Sequence, residues 1–218
     1  MVLACGDAAG HGAFQSLTER DDVTVREVGA RPGRDEVDPV LADLGDRRLV
    51  IFGTDADLAS VVLRLLRKDL LGTVTVGYIP TGESAVASLW DLPDGAIEVA
   101  LRGDVDAVPL VRDDAGGVLV GVGRIAPVRG VAYCDDTTVV RGRVSAVEVS
   151  PDPAQGLLVR VIHRGLIGKR VREYKGRAFQ LGSLPVHPVK DGESHPRPMT
   201  KWTWYRHTED LRVARGVV

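Results

Sequence analysis

"RRLVIFGTDADLASVVLRLL", residues 47–66, decides the fold. Leu49, Val50, Ile51 and Phe52 run directly into Gly53-Thr54-Asp55, and Leu58, Val61, Val62, Leu65 and Leu66 then recur at helical spacing. The first run predicts a buried strand over 48–52 and the second an amphipathic helix, with one tight turn between them. A strand, a turn and a helix together aim backbone N–H groups at one point, which suits an anion. Phosphate turns are usually glycine-rich, however, and this one carries Asp55 and Asp57.

The same alternation surrounds it. "MVLAC" (1–5) reads as a short buried strand, followed by the small-residue turn "GDAAGHG" (6–12) and a helix over 13–19. "VTVREV" (23–28) is a second strand, "DEVDPVLADLG" (35–45) a helix closed by Gly45, and "TVTVGYI" (73–79) a fourth strand leading through "PTGES" (80–84) into "AVASLWDL". Strands alternating with helices imply a parallel sheet covered on both faces. From about residue 104 the rhythm changes. "DAVPLVRDDAGGVLVGVGRI" (106–125) reads as a hairpin around Asp-Asp-Ala-Gly-Gly, and "DTTVVRGRVSAVEVS", "GLLVRVIHRG" and "KRVREYKGRAF" alternate with near period two. The fold class is therefore an N-terminal Rossmann-like parallel α/β domain, residues 1–98, followed by an antiparallel β-sandwich, residues 99–218, with the boundary near Pro93 to Gly103.

The 218 residues carry a net charge of −2, which argues against a wholly basic nucleic-acid binder. The charge is uneven: residues 151–218 hold 13 Lys and Arg against 6 Asp and Glu. That asymmetry suits an anionic ligand or surface met from the C-terminal half, or a solvated set of strands. Cys5 and Cys134 make neither a disulfide framework nor a metal cluster. The first residues lack a basic leader with a long apolar stretch, and no run approaches the length of a membrane span, so a cytoplasmic protein is expected.

Three turns, "GDAAGHG", "GTDADL" and "PTGES", each follow a strand and so fall at the carboxyl edge of one sheet, where open α/β folds bind ligands. A late acidic turn, "KDGES" (190–194), lies in the β half. In this order the turns resemble the diacylglycerol kinase catalytic family, which includes bacterial lipid kinases and sphingosine kinases, and more distantly the NAD kinases. The family's Asn-Pro-x-x-Gly is matched by Gly6-Asp7-Ala8-Ala9-Gly10, its Gly-Gly-Asp-Gly-Thr by Gly53-Thr54-Asp55-Ala56-Asp57, its Pro-x-Gly-Thr by Pro80-Thr81-Gly82-Glu83, and its Asp-Gly-Glu by Asp191-Gly192-Glu193. The resemblance implies a two-domain cleft, ATP phosphates at Gly10, Gly12, Gly53, Thr54, Asp55, Thr81 and Gly82, and Mg²⁺ on the transferred phosphoryl group. It further implies a general base from Glu193 or Asp191 acting on the hydroxyl of a lipid or lipid-like acceptor. Phosphoryl transfer is mostly positioning and electrostatics, so one base and a phosphate cradle are the parts it needs.

The nucleotide turns depart from that pattern. Thr54 and Ala56 replace glycines that let a backbone approach phosphate. Asp57 replaces a threonine; its carboxylate would repel phosphate and is expected to cap the helix instead. Asp55 is open between a ligand role (ribose, phosphate-bound metal or water) and a second cap. Asp191 and Glu193 are open between a plain β-turn and the catalytic role that the resemblance implies. The basic stretch "HRGLIGKRVREYKGR" (163–177) reads as the outer face of a sandwich whose charge would favour an anionic membrane or a phosphate. His11 sits in the first turn, the other histidines lack metal-ligand spacing, and Trp202, Trp204 and Tyr205 read as a packed aromatic strand. Two functions follow: an ATP-dependent lipid kinase, or a catalytically inactive relative that binds a ligand or a protein. Nucleic-acid binding is disfavoured by the acidic N-terminal half, and paired sandwich edges would give a homo-oligomer.

Overall fold

The computed structural model describes residues 1–93, 95–165 and 168–216, which divide into two compact units: Met1–Val108 with Glu209–Val218, and Pro109–Thr208. The first contains β1 (Val2–Cys5), α1 (Ala13–Thr18), β2 (Val25–Val28), α2 (Arg34–Ala42), β3 (Leu49–Gly53), α3 (Asp55–Arg67), β4 (Val76–Pro80), α4 (Ala85–Leu89), α5 (Ile97–Arg102) and β5 (Val105–Val108). The second contains β6 (Val111–Asp113), β7 (Val118–Leu119), β8 (Gly123–Ile125), β9 (Val128–Cys134), β10 (Thr137–Val144), β11 (Ala146–Asp152), β12 (Gly156–Gly165), β13 (Gly168–Gly176), β14 (Ala178–Val186), β15 (Val189–Lys190), β16 (Glu193–Ser194) and β17 (Met199–Arg206). The chain then returns to the first unit as β18 (Leu211–Ala214).

The sheet of the first unit runs β2-β1-β3-β4-β18-β5, parallel from β2 through β4 and closed by the antiparallel pair β18 and β5. β1 and β3 are buried along their whole lengths, which is why they read as unbroken apolar runs rather than alternating ones. Val2, Ala4, Val50, Phe52 and Ile79 pack with Leu17 of α1 and Ala100 of α5. α3 buries Leu58, Val61, Val62 and Leu65, four of the five residues of its apolar stripe. A two-pronged contact from Arg64 to Asp38, at 2.8 and 2.9 Å, ties α3 to α2.

The second unit is two six-stranded antiparallel sheets, β10-β9-β14-β17-β6-β7 and β13-β12-β11-β8-β15-β16. Their inner faces share one core, in which Val147, Val159 and Val161 from one sheet pack with Ala132, Phe179 and Trp204 from the other. β6 and β7 form the hairpin expected around Asp-Asp-Ala-Gly-Gly. Trp202 and Trp204 are buried in this core with ring centroids 5.7 Å apart, as packing residues.

The division differs from the boundary at residues 98 and 99. That point falls inside α5, whose Ala100 packs in the first core, so the first unit extends to Val108 and reclaims residues 209–218. A four-residue strand after a long β segment carries no signal of which sheet it joins; pairing with β4 and β5 decides it. Leu166 and Ile167, within the basic stretch, and Asp94, within the boundary region, lie outside the described residues. Among the described residues no helix is long and apolar enough to cross a membrane.

Candidate functional site

The first three turns meet at the carboxyl edge of the parallel sheet. The first continues β1 as a 3-10 turn over Gly6–Gly10, with His11 immediately after it. The His11 ring stands edge-on to Phe52 of β3, centroids 5.5 Å apart, and its Nδ1 accepts the Ala13 amide at 3.2 Å.

The second turn is closed on itself. Thr54 is the N-cap of α3, and its Oγ1 accepts the Asp57 amide at 3.3 Å. The Asp57 carboxylate in return accepts the Thr54 amide at 2.8 Å, the Thr54 hydroxyl at 2.7 Å and the Arg31 amide at 2.6 Å. This is a reciprocal capping box with a third donor from the turn after β2. Asp57 is 4% exposed, and these three donors supply the partners that a buried carboxyl group needs. Gly53 is the residue that allows the closure. A Cβ there would stand 2.7 Å from Asp57 Oδ2 and 3.0 Å from Cys5 Cβ. Burial, with the charges of Asp57 and Glu36 nearby, pushes the Cys5 thiol above its ordinary value.

Asp55 joins the second turn to the third. Its Oδ1 lies 2.5 Å from the Ser84 hydroxyl and 2.8 Å from the Tyr78 hydroxyl, and its Oδ2 accepts the amides of Ala85 at 2.9 Å and Val86 at 3.3 Å. One carboxylate thus anchors the start of α4 to the start of α3, and Ser84 in turn caps α4 through the Ala87 amide at 2.9 Å. The Thr81 amide donates to the Gly53 carbonyl at 3.0 Å, which draws the same two turns together through the backbone. Burial and the Asp55 charge raise the Tyr78 hydroxyl above its ordinary value, so it stays a donor.

Beside these turns lies a cavity of about 880 Å³ at the end of β4, lined by His11 from the first turn, Gly82, Glu83, Ser84 and Ser88 from the third turn and α4, and Ile97 from α5. Such a volume suits a small organic ligand. Among the described residues lining it none is Lys or Arg, and Glu83 is an exposed carboxylate at the rim. Of the residues proposed from sequence, Gly82 lines this cavity, whereas Gly53, Thr54, Asp55 and Thr81 are joined by the hydrogen bonds above. Gly10 and Gly12 are exposed, with open space where a Cβ would stand. Tyr78 and Ser84 were not singled out; for Ser84 the signal was a serine immediately before a helix.

The Asp-Gly-Glu lies in the second unit, as the turn of the β15–β16 hairpin. Lys190 pairs with Glu193, and Asp191 (φ 48°) and Gly192 (φ 87°) form a two-residue loop with both residues left-handed, the geometry for which Asp-Gly is favoured. The Asp191 side chain turns inward, 6% exposed, where it accepts the Val120 amide at 3.1 Å and the Gly121 amide at 2.7 Å. Its role here is to clamp the neighbouring loop. Glu193 is exposed on β16.

A phosphate-bound Mg²⁺, as the resemblance implies, does not fit the carboxylates of the second turn. Asp55 already accepts two donors on each oxygen and Asp57 three in all, so both carboxylates are largely committed within the chain. Among the described residues no group of three or more His, Cys, Asp or Glu could hold a metal ion.

No family model matches the chain, and no curated protein matches it. Solved structures do. Two structures of a presumed diacylglycerol kinase from Bacillus anthracis str. Sterne superpose with a TM-score of 0.73 at 11% and 12% identity, each covering 99% of this chain and 96% of the other. An NAD kinase from Archaeoglobus fulgidus, in complex with ATP, gives 0.58 at 14% identity over 99% of this chain and 93% of its own. Yeast NADH kinase complexed with NADH gives 0.55 at 11% identity over 99% and 83%. At these identities the likeness is one of fold. With its mixed α/β sheet and its two antiparallel sheets, the chain has the diacylglycerol kinase and NAD kinase-like fold.

Proposed function

We propose that this chain is a catalytically inactive relative of the diacylglycerol kinases, a module that binds a small ligand of little negative charge at the carboxyl-edge cavity. The observation that carries the reading is the closed second turn. The amides of Thr54, Asp57 and Arg31, which a phosphate would use, are occupied by side chains of the turn itself. Two carboxylates there add repulsion that no Lys or Arg of the described cavity lining offsets. The kinase-fold neighbours were solved with ATP and with NADH, which share an adenosine 5′-diphosphate moiety. A nucleoside without its phosphates is the portion that this cavity suits, with Ile79 and Ile97 for a base and Ser88 and Glu83 for hydroxyl or amine groups.

A second reading is supported by the Asp191-Gly192-Glu193 turn, which keeps its full sequence. In it the protein is an ATP-dependent lipid kinase, with Glu193 as the base on a lipid-like hydroxyl presented at an anionic membrane. Asp191 is less suited to that role, since both its oxygens accept backbone amides.

Calorimetry with adenosine and with Mg·ATP, alongside a phosphoryl-transfer assay on diacylglycerol, separates the two. The first reading expects saturable adenosine binding, weaker Mg·ATP binding and no transfer. Mg·ATP binding tighter than adenosine, or phosphorylated lipid that disappears in Glu193→Ala, would overturn it.

A further inference from the structure

A second cavity, of about 940 Å³, opens in the second unit at the end of the sheet that contains β9, β10 and β14. Its lining combines two chemistries. Arg129 of β9 and Arg143 of β10 contribute charge, and Leu184, Pro185 and Val186 of β14 contribute apolar surface. Leu184 is 56% exposed, the most of the exposed large hydrophobic residues among the described ones.

The two arginines stand directly opposite each other in the antiparallel register. Directly opposed side chains have Cβ atoms about 5 Å apart, and like charges at that position destabilise a sheet. Four basic residues of this unit meet carboxylates: Arg160 with Glu173 at 2.9 Å, Lys175 with Asp152 at 2.8 Å, Arg124 with Glu148, and Lys190 with Asp113. Among the described residues neither Arg129 nor Arg143 has such a partner. Two arginines directly opposed on neighbouring strands and lining one cavity can both reach a single anionic oxygen group there, as a fork. The apolar wall beside the fork then selects what carries that group.

We infer that this groove binds a single-chain amphiphile with an anionic head, a phosphate or a carboxylate, the head held between Arg129 and Arg143 and the hydrocarbon chain lying on Leu184, Pro185 and Val186. A second copy of the chain is a poorer occupant, because two-fold pairing of this patch would set four arginines together. A neutral alcohol would leave the fork unanswered. The inference is independent of what the first unit binds.

Dodecyl phosphate, below its micelle concentration, is the probe. The full chain is titrated with it by calorimetry, beside inorganic phosphate, the neutral detergent dodecyl maltoside and vesicles containing phosphatidylglycerol. The expected result is saturable one-to-one binding of dodecyl phosphate, at least tenfold tighter than either small control. Arg143→Glu, Arg129→Gln and Leu184→Asp should each weaken it by tenfold or more. Arg143→Glu should melt no lower than the parent, since it replaces a like-charge pair by an opposite-charge one, and that separates lost binding from lost folding. Equal affinity for inorganic phosphate, equal affinity for the neutral detergent, or binding to vesicles without binding of the monomeric probe would each overturn the inference. So would dodecyl phosphate binding that Arg143→Glu leaves unchanged.

Discussion

Thr54 and Asp57 close on each other at the start of α3: the Thr54 hydroxyl accepts the Asp57 amide, and the Asp57 carboxylate accepts both the amide and the hydroxyl of Thr54. A turn with the backbone plan of an anion site is thereby filled by its own side chains. Asp57→Ala would leave the Thr54 and Arg31 amides without their acceptor in a buried place. We expect a loss of about 2–3 kcal/mol, from the lost cap and the unsatisfied donors together. For a chain of this size that lowers the melting temperature by on the order of 5–10 °C in a thermal scan.

Asp55 should be at least as sensitive, for a different reason. Four donors converge on it, two from the start of α4 and two from the Tyr78 and Ser84 hydroxyls. Asp55→Ala is expected to cost about 2–3 kcal/mol and to release α4, seen as faster amide exchange at Ala85 and Val86 than in the parent. Unchanged exchange there would mean that α4 is held by packing alone.

At the Asp-Gly-Glu turn the two carboxylates should behave oppositely in stability. Asp191→Ala removes the acceptor of the Val120 and Gly121 amides in a buried position and should cost about 2–3 kcal/mol. Glu193→Ala, on an exposed strand, should fall within about 0.5 kcal/mol of the parent. Denaturant melts of the two variants check this directly.

Acid sensitivity of the second unit should involve Asp152. Burial works against its charge, but Lys175 Nζ at 2.8 Å and the amides of Gln155 and Ala154 overcome that and hold its carboxyl below the usual range. A lowered carboxyl stabilises the fold fully above its unfolded value, near pH 4, and that contribution is lost as the pH falls through the lowered value. Lys175→Met should therefore melt below the parent at pH 7, and the two should converge as the pH falls below about 4.

Both cysteines should be inert in the folded chain. Burial pushes the Cys134 thiol up to about 11, with Asp135 adding to the effect, and Cys5 is raised by burial and two carboxylates. At pH 8 a disulfide reagent should label neither until denaturant is added, since the thiolate is the reacting form.

Much of the architecture was legible because it rests on short-range patterns. Leu49 to Phe52 and the stripe from Leu58 to Leu65 specify a two-sided strand and a one-sided helix, and Asp-Ala-Gly-Gly between apolar pairs specifies a hairpin. The helix-capping role expected of Asp57 is realised, though as the returning member of a box whose N-cap is Thr54. What stayed hidden depends on long-range approach. The return of β18 to the first sheet, the four donors gathered by Asp55 from up to 31 residues away, and the inward turn of Asp191 onto Val120 and Gly121 leave no periodic trace in the sequence. The opposition of Arg129 and Arg143 is likewise a matter of register, fixed only once β9 and β10 pair.

The most direct test of the closed turn is an amide-resolved NMR titration of the intact chain with Mg·ATP and, separately, with adenosine. The account predicts that adenosine moves resonances of His11, Ser84 and Ser88 saturably, while millimolar Mg·ATP leaves the Thr54, Asp57 and Arg31 amides in place. Saturable movement of those three amides with Mg·ATP would contradict it, and would return the turn to phosphate binding.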